Sequence, residues 1–178
     1  MNKSYRILAI ILGIFIILTL FFYLYKIQVI SICNNSNNQL ILLDKISPGK
    51  QFLFEYNHSV SKTTVWEFFE VNRDYQLILV ETDFLDHGAG LPYTSFGDEI
   101  FVHEDGKFKI KNMNRKIYLP LYYRVGKSSK NHFHYENKDY NLSEIVGDSV
   151  VIIDIKPMNI LQYFIEQFIK DWIQEANL

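Results

Sequence analysis

Gln51 to Val71 reads QFLFEYNHSVSKTTVWEFFEV, and large apolar side chains alternate along both halves of it. Phe52, Phe54, Tyr56, His58 and Val60 share one face of a strand by period two, and Val65, Glu67, Phe69 and Val71 share one face of the next. If Ser61 to Thr64 form the hairpin loop, Val60 pairs with Val65 and His58 stands opposite Glu67, with Cβ atoms about 4.5–5.5 Å apart. An imidazole and a carboxylate on an otherwise apolar face are expected to hydrogen-bond, because neither is cheap to bury alone. Such a pair either fixes strand register or handles a ligand or a proton. Ser59 does not make a nucleophile with His58, since neighbours on a strand point to opposite faces.

Working outward, Ile27–Ile32 and Leu40–Leu43 flank the polar stretch NNSNNQ, and Gln76–Thr82, Glu99–His103, Lys107–Lys111, His132–Tyr135, Lys138–Leu142 and Val150–Ile155 repeat the short-strand pattern. Glu104, Asp105 and Gly106 mark a hairpin, after which Lys107, Lys109 and Lys111 alternate with Phe108 and Ile110. The aromatic content of 16% suits pleated, half-buried faces. The expected fold is mainly β, an antiparallel sandwich or barrel of about eight or more short strands.

Both ends of the chain depart from this period. Ile7 to Tyr25, ILAIILGIFIILTLFFYLY, carries no charge and as a helix would span about 28 Å, close to the hydrocarbon thickness of a bilayer. Tyr23, Tyr25 and Lys26 sit at its far end, as interfacial residues do. A cleaved signal peptide is usually shorter in its apolar part and is followed by small residues; the triplet Ser31, Ile32, Cys33 is a poor cut site. Bulky Ile32 before Cys33 also argues against lipidation, and a lone cysteine allows no intramolecular disulfide. We therefore expect an uncleaved anchor over residues 1–26, an extracytoplasmic β domain over 27–156, and a C-terminal amphipathic helix over 157–178. Lys3 and Arg6 before the helix place its short N-terminus in the cytoplasm, leaving the chain single-pass in the cytoplasmic membrane. In the last segment Ile160, Leu161, Phe164, Ile165, Phe168, Ile169, Trp172 and Ile173 recur at helical spacing. That stripe is expected to cover the β domain, or else to dock on a membrane or a partner.

The net charge of −2 conceals a division, with acids dominating from Glu55 to Asp105 and bases alone from Lys107 to Lys130. Lys107, Lys109, Lys111, Arg115, Lys116 and Arg124 either solvate a sheet face beside those acids or form a patch for anionic lipid or an acidic partner. No nucleic-acid partner is expected.

Metal-ligand signals are sparse. His132 and His134 could share a strand face, and Asp86 with His87 lie in an acidic loop, but no spacing is diagnostic, so neither metal nor cofactor is expected. His87, Gly88, Ala89, Gly90, Leu91 and Pro92 could cradle an anion or meet a partner through backbone N–H groups. A phosphate loop would also need Lys, then Ser or Thr, then a helix, and these do not follow.

Phe54, Tyr56, His58, Ser59, Val60, then Glu67, then Gly88, Ala89, Gly90, Leu91 and Pro92, and finally Arg124 with Val125 make the chain resemble the bacterial family called domain of unknown function 1850, from about Phe52 to Ile155. The resemblance implies an exported or membrane-associated protein, often encoded beside tripartite solute transporters of the TAXI class. Transporter membrane subunits or a solute receptor are the partners it implies, and it assigns no catalytic residue. The expected function is a non-enzymatic accessory or interaction domain. The alternative is a small hydrolase or metal-dependent enzyme using His58, Glu67 and the GAGLP loop.

Overall fold

A computed structural model describes residues 3–86 and 94–176. Helix α1 (Lys3–Leu24) carries no charge after Arg6, has no side chain buried in the protein and reaches a mean hydropathy of 3.0 over 18 residues. It is long and apolar enough to cross a membrane.

Twelve strands follow among the described residues, all paired antiparallel. β1 (Lys26–Asn34), β2 (Leu40–Lys45), β12 (Ser149–Asn159) and β9 (Leu121–Val125) form a four-stranded sheet in the order β2-β1-β12-β9. The larger sheet orders β11 (Lys138–Asn141), β10 (His132–Tyr135), β3 (Gln51–Asn57), β4 (Thr64–Val71), β5 (Leu77–Phe84), β7 (Lys107–Lys111) and β6 (Ile100–Glu104), with β8 (Arg115–Ile117) also on β5. The short helix α2 (Leu142–Val146) and helix α3 (Ile160–Ala176) complete the described chain.

The sheets stack face to face and do not close into a barrel. Ile30, Ile32, Val151 and Ile153 from the smaller sheet meet Phe52, Phe54, Phe69, Val71 and Phe133 from the larger in one buried core. Phe52 stacks on Phe69 at 5.3 Å, and Phe133 lies 5.0 Å from Phe54. Phe52, Phe54, Phe69, Phe84 and Phe133 are buried in the interior, where each ring buries a large apolar area. The β6–β7 turn follows expectation: Glu104 pairs with Lys107 across Asp105 and Gly106, both at positive φ, as a two-residue hairpin of matching twist requires.

Pro157 does not end the β domain. It lies within β12 opposite Gln28, beyond the stretch that β9 covers, so its missing N–H costs no ladder bond on that side.

The C-terminal helix departs from expectation. α3 meets the outer face of the smaller sheet, but with Tyr163, which is buried against Val29, Leu43 and Met158, and with Gln167, which donates to the Leu43 carbonyl. Much of the apolar stripe points away: Phe164, Phe168 and Trp172 are 55%, 73% and 63% exposed, while Ile169 and Ile173 border a cavity shared with Cys33 and Leu40. A half-polar face suffices against the sheet because Val29, Leu43 and Met158 already fill it. Phe164, Phe168 and Trp172 of the stripe do not cover the β domain.

Candidate functional site

The face of β4 that carries Val65, Phe69 and Val71 into the core also carries Glu67 inward. At the end of β3, Tyr56 occupies the same interior face, and its hydroxyl donates to Glu67 Oε1 at 3.3 Å. From the opposite sheet β9 brings Tyr123, whose ring stacks on Phe54 at 4.3 Å and 23°. Burial pushes the Glu67 carboxyl above the usual carboxylate range, and the Tyr56 hydroxyl opposes that only in part. Both phenols are pushed well up, by burial first and then by the nearby Glu67. At neutral pH the phenols are neutral donors, and Glu67 is held towards its protonated form.

A second layer of hydrogen bonds fixes this end of the sandwich. Asn131, buried just before β10, donates through Nδ2 to the Tyr123 hydroxyl at 3.2 Å and accepts from the Gly126 N–H at 3.0 Å. Its own N–H donates to Ser143 Oγ at 2.7 Å, and that hydroxyl donates to the Gly126 carbonyl at 2.9 Å. Asp148 accepts from the Lys127 N–H at 2.9 Å. These groups bound a cleft of about 580 Å³, also lined by His58, Ser59 and Arg124. The volume is that of a small-molecule or peptide side-chain site.

The expected hairpin register is corrected. β3 ends at Asn57, which pairs with Thr64, so Glu67 stands opposite Phe54 and not opposite His58. The loop runs from His58 to Thr63 because the His58 ring organises it: Nδ1 accepts from the N–H groups of Val60 and Ser61 at 3.4 and 3.3 Å. Lys62 at φ 60° completes the turn. Val60, expected on the core face, is exposed. The shift is by an even number of residues, so the side chains that remain within β3 and β4 keep their faces. His58 and Glu67 thus line one cleft without forming the expected cross-strand pair. With Nδ1 accepting, the proton of a neutral His58 sits on Nε2, which leaves that nitrogen a donor.

Other expected site residues are dispersed. Ser59 and Arg124 reach the cleft rim, whereas His87, Gly88, Ala89, Gly90, Leu91 and Pro92 lie outside the described residues. The basic residues largely meet local partners: Arg115 forks onto Glu99 at 2.7 and 2.8 Å, Lys109 reaches Asp105 at 3.3 Å and Lys111 reaches Glu104 at 2.5 Å. Lys107 lies over the Trp66 ring at 3.6 Å, and Lys116 over Tyr118 at 5.9 Å. Three members of the basic block, Lys109, Lys111 and Arg115, thus meet acids of the acidic block. Tyr123 and Asn131 were not singled out from sequence. β9 is short and follows Pro120, and only the sheet pairing shows that Tyr123 faces inward.

Core, cleft and leading helix define a two-sheet β domain carried behind an apolar N-terminal segment. The chain belongs to the family described as Domain of unknown function (DUF1850), whose profile matches residues 52–142. That span runs from β3 to the start of α2 and includes Tyr56, Glu67, Tyr123 and Asn131. No curated protein and no solved structure matches the chain.

Proposed function

We propose that this protein is a non-enzymatic accessory domain held at the outer face of the cytoplasmic membrane by an uncleaved α1, with α3 lying in the same bilayer surface. One observation carries the membrane placement. The Ile160 N–H donates to the Tyr25 carbonyl at 3.0 Å, so the exposed apolar stripe of α3 begins where α1 leaves the hydrocarbon. A spanning helix and an unpartnered apolar face that start at one point suit a single occupant, lipid.

The Tyr56–Glu67–Tyr123 cleft is then the recognition site, offering neutral donors, with Arg124 at the rim, to a polar group of a solute or a partner. The family resemblance favours a tripartite solute transporter, through its membrane subunits or solute receptor, as that partner. The enzyme alternative draws support from His58 and Glu67 sharing the cleft. It is weakened by the engagement of His58 Nδ1 with the loop amides.

The experiment is tryptophan quenching. The full chain carrying Trp66→Phe, in vesicles of lipid brominated on the acyl chains, reports from Trp172 alone. Strong quenching, insensitive to salt because apolar burial drives it, is the expected result. Unquenched Trp172 overturns the placement of α3.

A further inference from the structure

The β10–β11 hairpin assembles a second set of chemically capable groups, on the outer face of the larger sheet and independent of the cleft. Its register puts His134 directly opposite Asp139 across the turn at Glu136 and Asn137, and strand alternation brings His132 to the same face. Phe133 and Tyr135, on the other face, are buried in the core and hold the strand rigid.

His132 Nδ1 lies 3.0 Å from Asp139 Oδ1, and His134 Nδ1 lies 3.4 Å from the same oxygen. The two rings run nearly parallel, 14° apart. One donor atom from each of the three residues falls within 4.8 Å of the others. Around a tetrahedral zinc with bonds of about 2.0–2.1 Å, neighbouring donors stand about 3.3 Å apart. Both contacts to Asp139 already have that spacing, and small ring rotations bring the histidines together.

The far nitrogen of His134 adds an independent observation. Nε2 is closed off from solvent and has no hydrogen-bond partner, and the nearest carboxylate oxygen, Glu55 Oε2, is 3.6 Å away. That oxygen is itself fixed by the Trp66 indole N–H at 2.9 Å. A histidine bound to metal through Nδ1 carries its proton on Nε2 and directs it at such a carboxylate, which sets the tautomer and strengthens the ligand. An Asp139 carboxylate paired with His132 alone has no need of the second imidazole or of Glu55 behind it.

We propose that His132, His134 and Asp139 bind a borderline divalent transition-metal ion of the zinc type, with Glu55 positioning His134. Two imidazoles select this class over magnesium or calcium, which prefer all-oxygen sites. Three protein donors leave a tetrahedral ion one position for water or for a partner's side chain.

The test is titration of the full-length chain, in detergent and without a polyhistidine tag, with zinc alone by calorimetry, with magnesium and calcium as controls. One zinc per chain is expected. His134→Gln and Asp139→Asn each weaken binding at least ~10-fold, and Glu55→Gln by about 10–100-fold, the usual cost of removing a group that orients a ligand. His103→Ala, distant in sequence and stacked on Phe108, leaves binding unchanged. Unaltered circular dichroism shows that each variant folds, and Asp139→Asn is nearly isosteric at an exposed position. No saturable zinc binding, wild-type binding by Asp139→Asn, or an equal loss in His103→Ala overturns the site. Wild-type binding by Glu55→Gln overturns the role of Glu55.

Discussion

Tyr123 of the smaller sheet lies flat on Phe54 of the larger, ring centroids 4.3 Å apart, and carries its hydroxyl to Asn131 beyond the sandwich edge. One side chain therefore joins the aromatic core to the polar network of the cleft. Tyr123→Phe keeps the stack but strands a buried amide, and is expected to cost about 1–3 kcal/mol. Phe54→Ala removes the platform itself and should cost about 3–5 kcal/mol. Urea unfolding of both variants measures the order, and a Tyr123→Phe protein as stable as the parent would show that Asn131 finds another partner.

Glu67 makes stability depend on pH in a definite direction. Its folded pKa is raised, so the folded state holds its proton more tightly than the unfolded state does. Stability is full below the ordinary carboxylate pKa and declines as pH rises through the raised folded value. Glu67→Gln, which still accepts from Tyr56, should flatten that decline and raise stability at neutral pH. Unfolding midpoints across a pH series test this, and a Gln variant with the parent's slope excludes Glu67 as its source.

His58 and Glu67 should be energetically separate. His58→Ala releases the amides of Val60 and Ser61 and is expected to cost about 0.5–1.5 kcal/mol, whereas Glu67 acts through burial and Tyr56. A double-mutant cycle should be additive to within about 0.5 kcal/mol. Coupling of 1 kcal/mol or more, on the order of that between residues in direct contact, would restore the cross-strand pair.

Cleavage at the Ser31–Cys33 triplet should not occur. Those residues lie within β1 between β2 and β12, and Ile30 and Ile32 are fully buried in the core. A cut there would discard part of a central strand. Intact-mass measurement on membranes should find the N-terminus retained, and loss of about 33 residues refutes the anchor.

What sequence alone made legible was periodic. Alternation placed Phe52, Phe54, Phe69 and Glu67 on the interior face, and continuous hydropathy marked α1. Register proved harder where a side chain intervened: nothing in HSVSKT announces that the His58 ring will bind two amides and lengthen the loop. The metal-capable trio was nearer to hand. A two-residue turn at Glu136 and Asn137 already sets His134 against Asp139, whereas the spacing considered from sequence looked to Asp86 and His87. Helical periodicity found the stripe on α3 but carries no information about which side of the helix meets protein.

β12 spans eleven residues, from Asn159, paired with Lys26 at the end of α1, to Ser149, paired with Val125 at the mouth of the cleft. At about 3.3 Å per residue that strand measures roughly 33 Å. With only Tyr25 between α1 and β1, β12 acts as a ruler running from the end of α1 to the cleft. It holds the cleft roughly 30 Å from the end of α1, so that whatever fixes the helix also fixes where the cleft can be reached.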